Sequence, residues 1–523
     1  MRRAAVPGVL SRTGVVLALL AGVGGGAARA GTFYVGKSGC SDDGPGSSAQ
    51  PFCALGKAAG KLKPGDTLLV KAGTWGERLV VPVSGAAGQV ITIQAETSGA
   101  AILDGSSLGF NDQGLLALTG RSYVTIRGLT LRRSPYFAAQ VSKSNNIVLD
   151  KLLVDTSEHG GIIVDQGSVG VTVSGCEVRN ANACGADCAA HEAVSISNAS
   201  EFIVAGNFVH DGAEEGIDLK DGSKNGQVYG NTVSGMGAVG IYLNHVTGAR
   251  VYGNRVRANK ASGFQISVGD SATGTSRTEN NAIYQNVVDA NTYNGVEFWS
   301  AGSGTMGDNR IYNNVFYQNA HYGVQLSNNT SKVTGTIVRN NIFVGNKQGG
   351  IDGSAASTST ISNNLFGGGN GPTGGAPVSG DPGFVNVGQG DFKLLAGSPA
   401  IDRGFEMGLP KVGAPDIGAF EFGLSSTVPG ADAGVLPPPA GDGGPGPGPG
   451  PGPTHDGGGV PAGDGGGARG DSGAASSGLS RNQLLGGCAV APVLGSLLVP
   501  LALLLLLVAL RWPRGRRRAA ARR

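Results

Sequence analysis

The sequence predicts an all-β fold, a parallel β-helix, and three observations support this prediction. First, the pattern V-x-G-N-x-V recurs with its Asn at Asn207, Asn231 and Asn254, which are 24 and 23 residues apart. Second, a further apolar alternation, such as Ile217 to Leu219, follows in each repeat, and no helical pattern separates the strands. Third, Gly and Asn turns connect them. So short a unit cannot bury its apolar face until a neighbour stacks on it, which is typical of solenoids.

The Asn position of the repeat recurs in one frame over at least ten turns. It is filled in order by Leu129, Leu152, Cys176, Asn207, Asn231, Asn254, Asn286, Asn314, Asn341 and Asn364. An inward-facing Asn at a turn can bond its amide to the Asn of the next coil, about 4.8 Å away. We therefore predict that these Asn side chains are structural and not catalytic.

Residues 1–30 have the features of a secretory signal peptide. Arg2, Arg3 and Arg12 precede an apolar run, and Ala28-Arg29-Ala30 is a small-x-small cleavage site. Without residues 1–30 and 488–523, the chain retains 29 of its 40 Lys and Arg against all 37 Asp and Glu, a net charge near −8. This balance does not favour nucleic acid as a partner.

Residues 31–107 are predicted to form the N-terminal cap and the first coils. Residues 54–63 form a helical pattern that Pro64-Gly65 ends, and a helix here would cover the open apolar end of the solenoid. Cys40 and Cys53 bracket a Gly/Ser-rich loop before this helix, and export favours a disulfide between them.

The three central cysteines leave two alternatives open. Cys176 occupies the Asn position and is predicted to be a buried thiol, which leaves Cys184 and Cys188 to form a second disulfide. Alternatively, these cysteines and His191 could ligate zinc, although their spacing matches no familiar zinc site.

The candidate site follows from strand alternation. If Ile217 and Leu219 face inward, Asp218 and Lys220 face outward on the same side of the strand. The position of Asp218 is filled in successive coils by Ile163, Ser195, Asp218, Tyr242, Gln265, Glu297 and Gln325, and that of Lys220 by Asp165, Ser197, Lys220, Asn244, Ser267, Trp299 and Ser327. The turn before the strand adds His159, His191 and Glu214 in one column and Gly160, Glu192 and Glu215 in the next.

This register brings Glu192, Glu214, Glu215 and Asp218 together on one outer patch with Lys220. Several carboxylates at such close range stay ionised only if a cation lies among them, and an oxygen-only ligand set favours calcium. Calcium could neutralise the carboxylate of an acidic sugar and make the adjacent C–H bond more acidic. Lys220 is the candidate base, because a bound dication would lower the pKa of its amine.

The site and the repeats resemble the right-handed β-helix polysaccharide lyases of the pectate lyase superfamily, and family 9 most of all. That family holds calcium with an acid pair, a third acid three residues later and a fourth one coil earlier, a pattern that Glu214-Glu215-Gly-Ile-Asp218 and Glu192 match. Two departures exist: Glu replaces Asp at three positions, and the later coil that would carry the family's base Lys has Tyr242 or Gln265 here. The resemblance implies a right-handed β-helix over residues 32–370.

Resemblance extends to both ends of the solenoid. The start has the motifs of exported right-handed β-helix proteins, namely Tyr34-Val35, Gly39, Pro64-Gly65-Asp66 and Gly73-Thr74-Trp75-Gly76-Glu77. After the repeats of 108–370, residues 371–423 resemble the closing segment of many surface β-helix proteins, with Ser398-Pro-Ala-Ile-Asp402 and Pro415-Asp-Ile-Gly-Ala-Phe-Glu421. We expect it to close the last coil, and we expect its acids to be structural.

The remaining residues predict a stalk and an anchor. Residues 424–487 are dominated by Gly, Pro, Ala, Asp and Ser and predict a disordered linker. Residues 488–510 are long and apolar enough to cross a membrane, and residues 511–523 form a basic cytoplasmic tail. Cys488 before this span resembles bacterial C-terminal surface-sorting tails, so a removable sorting helix and a permanent anchor both remain open.

The sequence thus predicts an exported, surface-tethered monomer that cleaves an acidic polysaccharide by calcium-assisted β-elimination. Tyr242, Asn244, His245 and Trp299 are the predicted substrate-binding residues. The alternative is a non-catalytic glycan-binding or adhesive protein, since a charged patch on a solenoid is often only a solvated set of ion pairs. A glycoside hydrolase is less favoured because Glu214 and Glu215 are adjacent and point to opposite sides. His159 and His191 are either turn caps or catalytic.

Overall fold

A computed structural model describes residues 30–184, 191–269, 275–300, 303–326, 332–352, 358–368 and 375–425. In these residues the chain winds through about 11 coils of parallel β-structure. Each complete coil contributes one strand to each of three long sheets, in the order sheet A, sheet B and sheet C, and the incomplete coils at the two ends add further strands to sheets A and B. The solenoid predicted from the repeats is therefore confirmed.

Sheet A contains 13 parallel strands. They are Thr32–Val35, Thr67–Val70, Ile91–Ala95, Ser122–Arg127, Asn145–Asp150, Thr172–Ser174, Ile203–Ala205, Gln227–Tyr229, Arg250–Tyr252, Ala282–Tyr284, Arg310–Tyr312, Ile337–Arg339 and Thr360–Ser362.

Sheet B also contains 13 parallel strands. They are Gly73–Trp75, Ala101–Asp104, Thr130–Ser134, Leu153–Ser157, Glu177–Ala181, Phe208–His210, Thr232–Ser234, Arg255–Arg257, Val287–Asp289, Val315–Tyr317, Ile342–Val344, Leu365–Gly367 and Val378–Ser379.

Sheet C contains 11 parallel strands and carries the candidate site. They are Leu79–Val80, Leu116–Thr119, Phe137–Ser142, Gly160–Asp165, Val194–Ser197, Ile217–Lys220, Ile241–Asn244, Phe264–Val268, Val296–Ser300, Tyr322–Gln325 and Gly349–Asp352. A short parallel pair, Met306–Gly307 and Val333–Thr334, lies beside the main sheets.

The core is the interior of the coils, and its residues form one continuous apolar cluster from Val35 to Phe366. Every second residue of a strand points inward, so Val228 and Val233 are fully buried while their neighbours in the strand are partly exposed. Because side chains of successive coils stack on one another, each coil supplies the apolar cover that the next one lacks.

The turn from sheet A to sheet B contains the predicted Asn ladder. The Asn254 amide donates to Asn286 Oδ1 at 3.0 Å, and its own Oδ1 accepts from the Asn231 amide at 2.9 Å. The ladder runs from Asn207 to Asn364, and the Cys176 backbone N–H donates to Asn207 Oδ1, so the earlier coils share the frame. The residue before each Asn has positive φ, as at Gly253, where φ is +61°.

The N-terminal cap is a short helix, Leu55–Lys61, two residues shorter at its C-terminal end than the sequence pattern predicts. Its buried residues, Leu55 and Ala58 among them, join the core of the first coils. The predicted disulfide between Cys40 and Cys53 is present, with the two Cα atoms 5.0 Å apart. Cys176 is a buried free thiol, as predicted. Cys184 is disulfide-bonded, and Cys188, its predicted partner, lies outside the described residues.

The closing segment folds against the side of the solenoid. It contains an antiparallel hairpin, Phe384–Asn386 and Asp391–Leu394, with a 3-10 turn at Val387–Gln389. Its apolar residues pack on the outward-facing residues of the last sheet B strands in a second core that contains Phe392, Ile417, Val315 and Ile342, among others. The sequence did not indicate this position along sheet B.

The acids of the closing segment are structural, as expected. Asp416 accepts hydrogen bonds from the backbone N–H groups of Asp402 and Phe422, and Glu421 accepts from those of Val412 and Asp416. No helix long and apolar enough to cross a membrane occurs in the ranges given above. The predicted signal peptide, stalk and membrane span fall outside these ranges.

Candidate functional site

The candidate site lies on the outer face of sheet C. Ile217 and Leu219 are fully buried in the core, so Asp218 points away from it, as the alternation predicts. Asp218 pairs with Ser195 in the preceding coil and with Tyr242 in the next. The predicted column continues through Gln265 to Glu297 and Gln325.

Lys220 connects two of the acids. Its Nζ lies 2.6 Å from Glu192 Oε1 and 3.1 Å from Asp218 Oδ2, and its side chain is only 14% exposed. The other oxygen of Glu192 accepts a hydrogen bond from the Ser195 hydroxyl. Glu192 is therefore held from both sides by residues of two coils.

These acids are buried, although they lie outside the apolar core. Glu192, Glu215 and Asp218 are 6%, 7% and 2% exposed, whereas Glu214 is half-buried. The sequence predicted that these side chains point outward but did not indicate that they are covered. Asp218 Oδ1 is buried with no hydrogen-bond partner.

Burial and mutual repulsion divide the four ionisable groups into a paired set and an unpaired set. Burial raises the pKa of Glu192. The ammonium of Lys220 and the hydrogen bonds to Glu192 lower it by more, so the net shift of this pKa is downward. Burial lowers the pKa of Lys220, but Asp218 and Glu192 raise it more, and its pKa ends well above the ordinary value. Glu192 and Lys220 are therefore a charged pair.

The other two carboxyl groups are shifted in the opposite direction. Burial, with repulsion from Glu192, raises the pKa of Glu215 well above its ordinary value. Burial also raises the pKa of Asp218, although Lys220 lies close enough to oppose the shift. Lys220 contacts two of the three buried carboxylates, and the excess negative charge of the group requires protons or a second cation.

The donor set has the oxygen chemistry that calcium prefers, and the unpartnered Asp218 Oδ1 is a free ligand atom. Among the described residues, however, no three His, Cys, Asp or Glu side chains are arranged to hold a metal ion. Lys220 already contacts Glu192 and Asp218 in this arrangement. The predicted calcium site stays a prediction.

The predicted substrate-binding residues are dispersed around the cluster. Tyr242 is 9% exposed and donates its hydroxyl to Ser267 Oγ at 3.0 Å, so it is not the exposed aromatic that the sequence suggested. Asn244 pairs with Lys220 and accepts from the Gly269 N–H at 3.0 Å.

The other two are farther from the acids. His245 lies in the turn after the strand, where burial lowers its pKa and its Nε2 is buried without a partner. Trp299 is partly exposed and lies three strands from Lys220 in the same column. Of the predicted residues, only Tyr242 and Asn244 lie in strands adjacent to Asp218 and Lys220.

Two features of this face were not predicted from the sequence. One is the Ser195 hydroxyl, which bonds Glu192, although Ser195 stood in the correct column. The other is an aromatic cluster of Phe110, Tyr136 and His159, whose ring centroids lie 5.2–5.5 Å apart. Phe110 comes from a loop outside the repeat, and therefore no column could have indicated it.

Comparison with known families supports the fold. The model of a periplasmic copper-binding protein (NosD) matches residues 83–256 and 125–330, and that of a right-handed β-helix region matches residues 305–366. The chain is a right-handed parallel β-helix. No curated protein matches it.

Solved structures give distant similarities. Pectate lyase Pel9A is 20% identical with a TM-score of 0.48, and the match covers 75% of this chain and 96% of the lyase. An alginate lyase from Paenibacillus sp. str. FPU-7 is 20% identical with a TM-score of 0.40, covering 53% of this chain and 94% of the other. A mannuronan C-5 epimerase module from Azotobacter vinelandii is 13% identical with a TM-score of 0.41, covering 57% and 91%. Similarity at this level carries no argument about activity.

Proposed function

We propose that the outer face of sheet C binds an acidic polysaccharide and cleaves it by β-elimination. The observation that supports this proposal is the burial of Glu192, Glu215 and Asp218 around Lys220 outside the apolar core. Buried carboxyl groups with raised pKa values are costly to maintain and are concentrated at functional sites. A patch of ordinary surface ion pairs would be solvated instead.

Lys220 is the proposed base. In β-elimination the amine takes the proton from the sugar carbon next to the carboxylate, the bond from the neighbouring carbon to the leaving oxygen breaks, and a C=C bond forms. The oxygen then takes a proton from solvent or a nearby acid. Because Glu192 and Asp218 hold Lys220 as an ammonium, it becomes a base only when their negative charge is neutralised.

Calcium is part of this proposal as the source of that neutralising charge. When bound, it would also stabilise the negative charge that develops on the substrate carboxylate. The acids proposed to hold it are Glu192, Glu214, Glu215 and Asp218. Calorimetric titration of the full-length chain with calcium tests this independently of turnover, and we expect Asp218→Asn to weaken binding by at least about tenfold.

A second candidate function is glycan binding without cleavage. The paired, charged state of Lys220 favours it, because an ammonium does not accept the proton that β-elimination removes. The same residues then bind the polysaccharide, and only the chemical step is absent.

Activity on uronans separates these candidates. The full-length chain is incubated with polygalacturonate and alginate, with calcium or with chelator, and unsaturated ends are followed by ultraviolet absorbance. Chelator-sensitive unsaturated product that Lys220→Ala abolishes and the exposed Lys224→Ala retains supports the lyase. Saturated reducing ends indicate hydrolysis, and retention without cleavage indicates the binding protein; either result rejects the lyase.

An extracytoplasmic location is also proposed. The disulfide between Cys40 and Cys53 fits an oxidising compartment. The matched family model is described as periplasmic. Tethering through residues 488–510 is proposed from their length and apolar composition. Protease accessibility of the β-helix in intact cells, before and after osmotic shock, tests both points.

A further inference from the structure

The outer face of sheet A carries a row of four tyrosines. In the five strands from Gln227–Tyr229 to Ile337–Arg339, the middle residue is buried in the core and the residues on either side of it point outward. The third residue pairs in register along the coils and is Tyr four times in succession, at Tyr229, Tyr252, Tyr284 and Tyr312. None of the five strands contains Asp or Glu.

The tyrosine rings stack on one another. Their centroids are 5.0 Å apart and their planes differ by 8–14°, so each ring covers the face of the next. The Tyr252 hydroxyl donates to Gln227 Oε1 of the preceding coil at 3.1 Å, so the Tyr252 ring, and with it the stack, leans toward the first residue of each strand. Among the described residues, the hydroxyl groups of Tyr284 and Tyr312 have no hydrogen-bond partner. These two groups are left for solvent or a ligand.

Two arginines lie beside this stack, in the column of first residues. Arg250 and Arg310 are exposed, and Ala282 lies between them. Their guanidinium groups have no side-chain partner among the described residues. All other arginines in the strands of the three sheets bond to a side chain, and these are Arg127, Arg132, Arg133, Arg179, Arg255, Arg257 and Arg339. We call the four tyrosines, Arg250 and Arg310 the sheet A patch.

The arginines lie within electrostatic reach of the tyrosine hydroxyl groups. Burial raises the pKa of Tyr252 and of Tyr284, and the charge of Arg250 opposes both shifts. Burial also raises the pKa of Tyr312, against the charges of Arg310 and Arg250. The hydroxyl groups therefore stay protonated at neutral pH, and together with the guanidinium groups they form a positively charged surface of hydrogen-bond donors. Its complement is an anion with several acceptor oxygens, such as a carboxylate.

We infer that the sheet A patch binds an acidic polysaccharide laid along the solenoid axis and does not cleave it. Arg250 and Arg310 are two coils apart, which is about 10 Å at about 4.8 Å per coil. In an extended polymer of uronate sugars that alternate in direction, every second carboxylate lies on the same side, so one polymer chain can reach both guanidinium groups. The patch is on a different sheet from the acid cluster. The inference therefore goes beyond the proposed function and does not rest on it.

Binding of uronans in the presence of chelator, which stops the proposed cleavage, tests the inference. The full-length chain and its variants are run through native gels that contain increasing amounts of polygalacturonate, alginate or duplex DNA. We expect Arg250→Gln combined with Arg310→Gln to raise the Kd for uronans about fivefold to tenfold, because two charge-assisted contacts are lost. Lys57→Gln combined with Lys61→Gln removes the same charge from exposed residues of the cap helix and is the matched control. Equal Kd values for the two double variants, or equal binding of DNA and uronans by the wild type, overturn the inference.

Two further measurements locate the polymer on the molecule. Tyr284→Phe keeps the ring but removes its hydroxyl, and we expect it to raise the Kd about twofold to threefold with an unchanged unfolding temperature. Polygalacturonate should also protect Arg250 and Arg310 from modification by phenylglyoxal, mapped by mass spectrometry, and should not protect the exposed Arg403 of the closing segment. If Arg250 and Arg310 are modified as fast with the polymer as without it, the polymer binds elsewhere and the patch is rejected.

Cleavage assays separate failure of this inference from failure of the proposed function. If no uronan is cleaved but the arginine double variant loses affinity, the lyase is rejected and the sheet A patch stands. If unsaturated product forms while the arginine double variant binds uronans as the control does, the lyase stands and the patch is rejected.

Discussion

Two side-chain columns run along the same coils and differ in composition: one repeats a single residue type, and the other changes residue at each coil. In the turn from sheet A to sheet B, one residue type repeats from Asn207 to Asn364. In sheet C, the column of Asp218 changes residue at every coil, from Ser195 through Asp218 and Tyr242 to Gln265. An amide both donates and accepts, so a repeated Asn satisfies itself at every level. A carboxylate cannot, and each acid therefore requires a particular partner.

This difference separates stability from function. The Asn ladder has the same hydrogen bonds in each coil, and nothing distinguishes Asn231 from Asn254 except position. Glu192 and Lys220, by contrast, form a pair that occurs once in the described coils. A residue type that repeats along the coils of a solenoid indicates a role in packing. A position where the repeat is interrupted by buried charged residues indicates a functional site.

The largest expected effect on stability comes from removing the positive charge of Lys220 from the buried acids of sheet C. Lys220→Met leaves Glu192 and Asp218 buried without their positive partner, and we expect it to lower the free energy of unfolding by about 3–5 kcal/mol at neutral pH. Lys224→Met, at an exposed turn lysine, is the matched control and should change it by less than about 0.5 kcal/mol. Urea denaturation followed by circular dichroism measures both. Equal, small effects would mean that the cluster is solvated.

The loss of stability on replacing an Asn of the ladder should depend on its position in the ladder. Asn254→Ala leaves the Val228 carbonyl and the Asn231 N–H without their partners, and we expect a loss of about 2–4 kcal/mol. Asn364 makes the corresponding bonds with the Val338 carbonyl and the Asn341 N–H, but it ends the ladder and lacks a bond like the one that Asn254 donates to Asn286, so Asn364→Ala should cost somewhat less. The two urea midpoints test this order. If Asn364→Ala costs as much as Asn254→Ala, the ladder does not act through its chain of side-chain bonds.

The free energy of unfolding should also depend on pH through the buried acids around Asp218. The pKa of Glu215 is raised in the folded state by burial and by its acidic neighbours Glu192, Asp218 and Glu214. Between its ordinary pKa of 4.5 and the raised value, the folded state binds more protons, so stability falls as pH rises, by at most about 1.4 kcal/mol per pH unit.

Glu215→Gln should reduce this slope and leave the part that Asp218, whose pKa is also raised by burial, contributes. The unfolding temperature between pH 4 and pH 8 measures it. Glu192 titrates in the opposite sense, because its lowered pKa stabilises the protein above its ordinary pKa and the effect is lost on acidification. Glu214→Gln, at a half-buried position, is the control and should retain most of the slope. A Glu215→Gln profile identical to that of the wild type contradicts the assigned repulsion.

The sequence predicted the parts of this molecule that repetition determines. The frame of the Asn ladder and the columns on sheet C follow from a fixed coil length and from strand alternation, and both are confirmed at Asn254 and Asp218. The burial of Tyr242 depends on Val239 and Ala261 in neighbouring turns, and the position of Phe110 depends on an inserted loop. Alternation indicates which way a side chain points but not what covers it.

The smallest expected effect on stability is at Cys176, which lies between Leu152 and Asn207 in the column of the Asn ladder. Cys176 occupies the Asn position, and its Sγ only weakly replaces an amide, accepting from the Leu152 N–H at 3.4 Å and lying 3.7 Å from the Leu149 carbonyl. Cys176→Asn supplies a stronger acceptor and a stronger donor at the same points, so we expect a gain of about 0.5–1.5 kcal/mol in the free energy of unfolding. Cys176→Leu, which mimics Leu152, is the control without these bonds. A loss with Asn would mean that volume, not hydrogen bonding, determines this position.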